Sequence, residues 1–244
     1  MAPSRRRLAA VAAVVVLIAG SVAAWAWHSH SAERPRLGLF TSLPIYWAEA
    51  GSVSEALDGG GEPHWVRGTL EADYRLIPLD TLDPADLAPL TRLVMAQPRP
   101  LAPGENVALD DWVRRGGRLL MFADPFLTEH SRFPLGDKRR PQDVALLSPI
   151  LARWGLELTF DEDQGDGERA ARLGSVALPH RLSGRFRVVT PGAPATCELT
   201  AGGLVATCRI GAGRALVVAD AAVLEHERGP SPALPALMER ALAD

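Results

Sequence analysis

The sequence predicts an α/β domain: an open, mostly parallel sheet with flanking helices, followed by a C-terminal β-hairpin. Three observations carry this. From Arg36 onward short apolar runs alternate with longer segments of helical period, the signature of strand–helix–strand units. The run inside Arg92–Ala96 is uninterrupted, as expected of a strand covered on both faces. From Val176 the pattern shortens to strands suited to antiparallel pairing.

The elements follow in order. Arg36–Phe40 is a first strand, and Thr41–Trp47 a loop. Ser52–Leu57 and Pro63–Glu71 read as helical pieces separated by Gly59-Gly60-Gly61. Tyr74–Leu79 and Arg92–Ala96 are the second and third strands. Pro103 opens a helix whose apolar positions Val107, Leu109, Trp112 and Val113 leave Glu105, Asp110, Asp111 and Arg114 outward. Gly116-Gly117 stops it before a fourth strand, Arg118–Ala123. A basic loop with Arg132, Lys138, Arg139 and Arg140 leads to a helix predicted over Gln142–Trp154, then a strand at Leu156–Phe160 and an acidic loop at Asp161–Glu168. Arg214–Ala219 is a buried strand, and Ser231–Leu242 a closing helix with Ser231 as N-cap and Pro232 at its first position.

A two-residue turn at Gly202-Gly203 sets Cys197 opposite Cys208, Leu199 opposite Ala206 and Ala201 opposite Leu204, all on one apolar face. Glu198, Thr200, Val205 and Thr207 take the other face. In an oxidising compartment the facing cysteines join. Counting from the turn makes them a hydrogen-bonded pair, with Cα atoms about 5.5 Å apart.

The chain has 244 residues, 47% of them apolar, enough for one domain of roughly 200 residues behind an N-terminal segment. With Arg5, Arg6 and Arg7 set aside, 23 basic side chains face 29 acidic ones, which excludes a broad nucleic-acid surface. Residues 1–7 read as a cytoplasmic N-terminus, 8–27 as a transmembrane anchor, 28–35 as a linker and 36–244 as the domain. Leu8–Trp27 has the length of a membrane-spanning helix, and the three preceding arginines hold the N-terminus inside. The expected location is the bacterial inner membrane, single-pass, with the domain facing the periplasm. Cleavage at Ala24-Trp25-Ala26 is the alternative and yields a soluble periplasmic protein.

Three stretches together resemble a known family. They are Arg92–Ala96 with the helix from Pro103 and the run Gly116–Pro125; Leu151–Glu157; and Gly211–Asp220. The pattern is similar to the class I glutamine-amidotransferase-like domain, a flavodoxin-like sheet, of gliding-motility-associated ABC-transporter auxiliary proteins. The resemblance implies a non-catalytic accessory domain whose partners are ABC-transporter membrane subunits or other envelope proteins. True amidotransferases carry a nucleophilic cysteine at a sharp strand-to-helix turn. Here Asp124-Pro125 follows the strand, and the only cysteines lie far downstream.

The other common catalytic motifs are absent from the sequence. His28 and His30, and the acidic loop, are read as solvated, so no metal and no cofactor is expected. Open α/β sheets bind ligands beyond the carboxyl ends of their strands. The polar residues expected there are Thr41, Ser42 and Tyr46, then Asp124, His130 and Arg132, and finally Asp220. Asp124 and Asp220 have two readings: groups that bind or turn over a polar ligand, or caps that bond local backbone amides. Tyr46 and Trp47 are either contact residues or, as is commoner beside a strand end, core packing. Three functions stay open: an accessory domain acting by protein or small-ligand binding, a periplasmic hydrolase using carboxylate and His residues at the strand ends, and a structural partner in an envelope complex.

Overall fold

The computed structural model describes residues 34–50, 52, 54, 63–189 and 195–243. The anchor or signal segment, the linker up to residue 33 and most of the first helical piece lie outside these residues. Among the described residues no helix is long and apolar enough to cross a membrane.

Five strands form the parallel part of a seven-stranded sheet. They are β1 (Arg36–Thr41), β2 (Arg75–Pro78), β3 (Arg92–Ala96), β4 (Arg118–Phe122) and, much later, β11 (Gly213–Val218). Their order, β2-β1-β3-β4-β11, is that of a flavodoxin-like doubly wound sheet. Between them come helices α1 (Trp65–Asp73), a short α2 (Pro84–Leu87) and α3 (Pro103–Arg114). Leu119, Leu120, Met121 and Phe122 are all fully buried, so β4 is covered on both faces, as its unbroken apolar run requires.

The chain between β4 and β11 departs from a simple continuation. Helix α4 (Ser148–Arg153) leads to β5 (Leu156–Phe160), which pairs antiparallel with β8 (Gly184–Val188) in a separate two-stranded sheet. Strands β6 (Arg169–Leu173) and β7 (Val176–His180) make another. The hairpin β9 (Ala195–Thr200) and β10 (Val205–Ile210) then extends the main sheet antiparallel beyond β11. Helix α5 (Ala233–Leu242) closes the domain. Arg92 and Arg214, at the starts of β3 and β11, donate through Nε to the Leu242 and Ala241 carbonyls, which satisfies the end of this helix.

The two glycine motifs meet at the amino edge of the sheet. Ala212 N donates to Arg114 O, and Arg214 N donates to Gly117 O. A Cβ on Gly213 would sit 2.0 Å from Val113 O, and one on Gly117 2.4 Å from the Trp112 ring. Their role is close backbone approach.

Four expectations need correction. The helix over Gln142–Trp154 is confined to Ser148–Arg153. Gln142 N donates instead to Ser42 Oγ and Ala145 N to Asp124 O, while Asp143 O accepts from Leu127 N. Backbone groups committed across the strand ends cannot also make a helix. On α3, Glu105 and Asp110 are buried, and Val107 is the exposed one. Asp110 accepts from Arg114 Nε at 2.8 Å, from Trp154 Nε1 at 3.0 Å and from Arg153 Nε. Burial alone would raise its pKa; these three donors outweigh that and hold it below the ordinary value. Glu105 takes both Arg99 guanidinium donors plus the Ala102 and Leu82 amides. The Arg99 bonds chiefly hold its carboxyl at about 2.

At the hairpin Cys197 faces Cys208 and Leu199 faces Ala206 as expected, and the two cysteines form a disulfide. Ala201 and Leu204 fall in the connection rather than the ladder. The connection is longer than two residues, because Ala201, Gly202 and Gly203 all have positive φ. The alternation of the ladder moves by one position, and the cysteine Cα atoms are 4.1 Å apart, the spacing of the closer, non-hydrogen-bonded class. Lastly, α5 begins at Ala233 rather than Pro232, with Ser231 Oγ accepting from Ala233 N.

Candidate functional site at the carboxyl edge of the sheet

The loops that follow β1, β3, β4 and β11 gather at one edge, and buried Gln97 is the piece that joins them. It directly follows β3, has φ of 44° and is fully buried. Its Oε1 accepts from Asp124 N, and its Nε2 donates to Asp124 O and Gln142 O. The Gln97 carbonyl accepts from Ser42 Oγ, so one residue connects three loops. Nothing in the local pattern distinguishes Gln97 from any polar residue after a strand, and sequence reasoning passed over it.

Asp124 and Asp220 sit behind this lock, each almost without exposure. Asp124 accepts from Phe126 N through Oδ1 and from Ala221 N through Oδ2. Asp220 accepts from Ala222 N and Arg181 N. All four carboxylate oxygens are thus occupied by backbone amides. Burial raises the Asp124 carboxyl to about 7. Burial, then the neighbouring Asp124, raises that of Asp220.

In front of the lock lie two clefts. The first, about 310 Å³, is bounded by the loop after β1 and by Phe133 and Arg139 from the basic loop. Thr41, Ser42 and Tyr46 line it. Thr41 Oγ1 donates to Ala96 O and Ser42 Oγ accepts from Gln142 N, so both hydroxyls also brace the loops. Tyr46 is half-buried between Trp47 and Arg67, whose guanidinium lies 4.4 Å from the Tyr46 ring centroid. Trp47 is 74% exposed on the rim, contrary to the packing expectation.

The second cleft, about 220 Å³, shares Pro44, Ala48 and Glu49 with the first. It adds His64, which precedes α1, Glu129 and His130 from the loop after β4, and His226 from the segment after β11. His130 is exposed there. Arg132 is exposed beside it, its backbone N donating to Glu49 Oε2 and its side chain to Glu49 O. Glu129 Oε2 accepts from His226 N. Burial chiefly, with Glu225, Glu227 and Glu49 adding to it, lifts Glu129 to about 7. The His64 and His226 rings lie 5.0 Å apart. Burial, then His226, brings His64 down to about 4. Of the residues expected at the edge only His130 lines this cleft; Glu49, His64, Glu129 and His226 were missed. Three of the loops do carry a histidine, which was the available signal. Among the described residues no group of His, Cys, Asp and Glu is arranged to hold a metal ion.

Solved structures similar to the chain are distant. An exo-β-1,4-mannosidase, Op5Man5 from Opitutaceae bacterium strain TAV5, is 14% identical with a TM-score of 0.46 over 81% of this chain and 33% of that one. A ThuA-like protein from Bacteroides uniformis ATCC 8492 is 11% identical with a TM-score of 0.42 over 86% and 91%. The cytoplasmic protein STM3548 from Salmonella typhimurium is 12% identical with a TM-score of 0.41 over 76% and 87%. The chain spans about a third of the length of the mannosidase. No curated protein matches it in sequence. The family model described as a domain of unknown function, DUF4350, matches residues 65–228, two thirds of the sequence, and the chain belongs to that family.

Proposed function

We propose that this protein is an exported, membrane-anchored accessory domain that works by binding at the carboxyl edge of its sheet, as an auxiliary part of an ABC-type transport system, and that it does not catalyse a reaction there. One observation carries the reading. The strand-end carboxylates a catalyst would use, Asp124 and Asp220, spend every oxygen on backbone amides, while the adjoining cleft stays open with Trp47 projecting from its rim. A solvent-facing tryptophan is an interface anchor when covered. The Asp124-Pro125 sequence after β4, with no cysteine nucleophile, supports the same view.

The test is purification of the full chain from membranes, comparing wild type with Trp47→Ala. Co-purification of an ABC-transporter membrane subunit that Trp47→Ala abolishes supports the reading; failure of any envelope protein to co-purify overturns it. An alkaline phosphatase fusion after Asp244 must be active for the exported topology to hold. Release of ammonia from glutamine would contradict the non-catalytic assignment. A hydrolase is the second reading, favoured by Glu129 and His130 standing beside His64 and His226 in the second cleft. Turnover of a model ester, lost in Glu129→Gln, would select it.

A further inference from the structure

The second cleft has a feature that brings it closer to a ligand site than to a solvated acidic patch. His64 is only 4% exposed and lines the cleft. Its Nδ1 accepts from Val66 N at 3.3 Å, so the proton of the neutral ring resides on Nε2. That nitrogen has no hydrogen-bond partner among the described residues. Nε2 is not one of the sealed unpaired side-chain atoms, so this donor is reachable, and its residue belongs to the wall of a cavity. The neutral state is secure, since burial and the adjacent His226 hold the imidazole at about 4.

The opposite polarity is supplied by Glu129. Its Oε2 is taken by His226 N, while Oε1 accepts from no described residue. Around it the charge is negative: Glu49 is bonded to Ser131 and Arg132 N, Glu225 is bonded to Thr128 and paired with Arg228, and Glu227 lies nearby. Arg228 is itself shared with Glu168. An anionic ligand would be repelled from this surface. A metal ion would need the Nε2 lone pair of His64, which the Val66 bond leaves protonated.

We propose that the cleft formed by Glu49, His64, Glu129, His130 and His226 binds a small uncharged molecule that offers a hydrogen-bond acceptor to His64 Nε2 and, beside it, a donor to Glu129 Oε1. A carboxamide or a hydroxyl group meets both demands, whereas a carboxylate or ionised phosphate can accept from His64 but has no donor for Glu129 and is repelled by the surrounding carboxylates. The inference stands apart from the accessory-domain reading, which rests on the neighbouring Trp47 cleft. A cleft of about 220 Å³ holds only a small molecule, for which a dissociation constant of about a millimolar is expected.

The test uses saturation-transfer NMR on the full chain with lactamide and with its acid, lactate. The expected result is a saturable signal for lactamide, at least tenfold weaker for lactate. His64→Phe, which keeps a ring but removes the donor, abolishes it. His64→Gln restores it, since its carbonyl can accept from Val66 N while its amide donates to the ligand. Val107→Ser on the exposed face of α3 leaves it unchanged. Circular dichroism of each variant establishes that it folds. Equal binding of lactate, an undiminished signal in folded His64→Phe, or no saturable signal for lactamide overturns the proposal. So does a stoichiometric zinc ion that shifts the His64 and His226 ring resonances.

Discussion

Replacing Gln97 with leucine removes the side chain that joins the loops at the carboxyl edge while nearly keeping its volume. Three hydrogen bonds disappear, to Asp124 N, Asp124 O and Gln142 O. Asp124 O keeps its bond from Ala145 N, so the groups left without a partner are the Asp124 amide and the Gln142 carbonyl. Each buried orphan costs about 1–3 kcal/mol, and the apolar leucine returns about 1–2 kcal/mol. The two orphans less the leucine gain leave a net loss of about 1–4 kcal/mol, a large part of the roughly 5–15 kcal/mol that holds a domain folded. Urea unfolding followed by tryptophan fluorescence measures it through the shift in midpoint at constant slope. Gln97→Glu is the informative companion: it still accepts from Asp124 N but cannot donate, and it adds a charge beside Asp124. It is expected to be the worse variant at pH 8 and to recover toward Gln97→Leu at pH 5. A loss below about 1 kcal/mol in Gln97→Leu would refute the assignment of Gln97 as the lock.

Asp110→Asn leaves the Arg114, Arg153 and Trp154 donors with a poorer acceptor, and a loss of about 2–4 kcal/mol is expected in the same assay. Gly213→Ala forces a Cβ against Val113 O and Gly117 O, backbone atoms that cannot rotate away, so little soluble folded protein is expected on expression; a normal yield and melting temperature would contradict the packing. Ellman titration of denatured, unreduced protein should find no free thiol, and the Cys197→Ala/Cys208→Ala double variant should lose about 2–3 kcal/mol through the freed loop of 11 residues' separation. The Asp124 and Asp220 carboxyls have folded pKa values raised above those of an unfolded chain, to about 7 for Asp124. The native state therefore holds protons that the unfolded state has released, and stability falls as pH rises from about 4 to about 7. Asp220→Asn should flatten that slope; an unchanged pH profile would show that the pair does not titrate as described.

The features legible in the sequence are those written in neighbouring residues. Uninterrupted apolar runs placed β3 and β4, the paired glycines marked where α3 must stop, and the two-fold alternation around Gly202-Gly203 set Cys197 opposite Cys208. Strand period, helix stop and hairpin register depend on contacts a few residues apart. The order β2-β1-β3-β4-β11, with β11 taking the place beside β4 and β5 set apart with β8, was settled by packing over long separations. The same is true of Asp110, whose buried position follows from Arg153 and Trp154 on another helix. It is true also of residues 142–147, where bonds to Ser42 and Asp124 displace the helix their composition favours. His64, Glu129 and His226 come from loops 65 and 97 positions apart in the chain, and no local pattern links them. They meet because parallel strands deliver every following loop to one edge of the sheet; which residues face one another there depends on how those loops cross, and that is decided only when the tertiary structure forms.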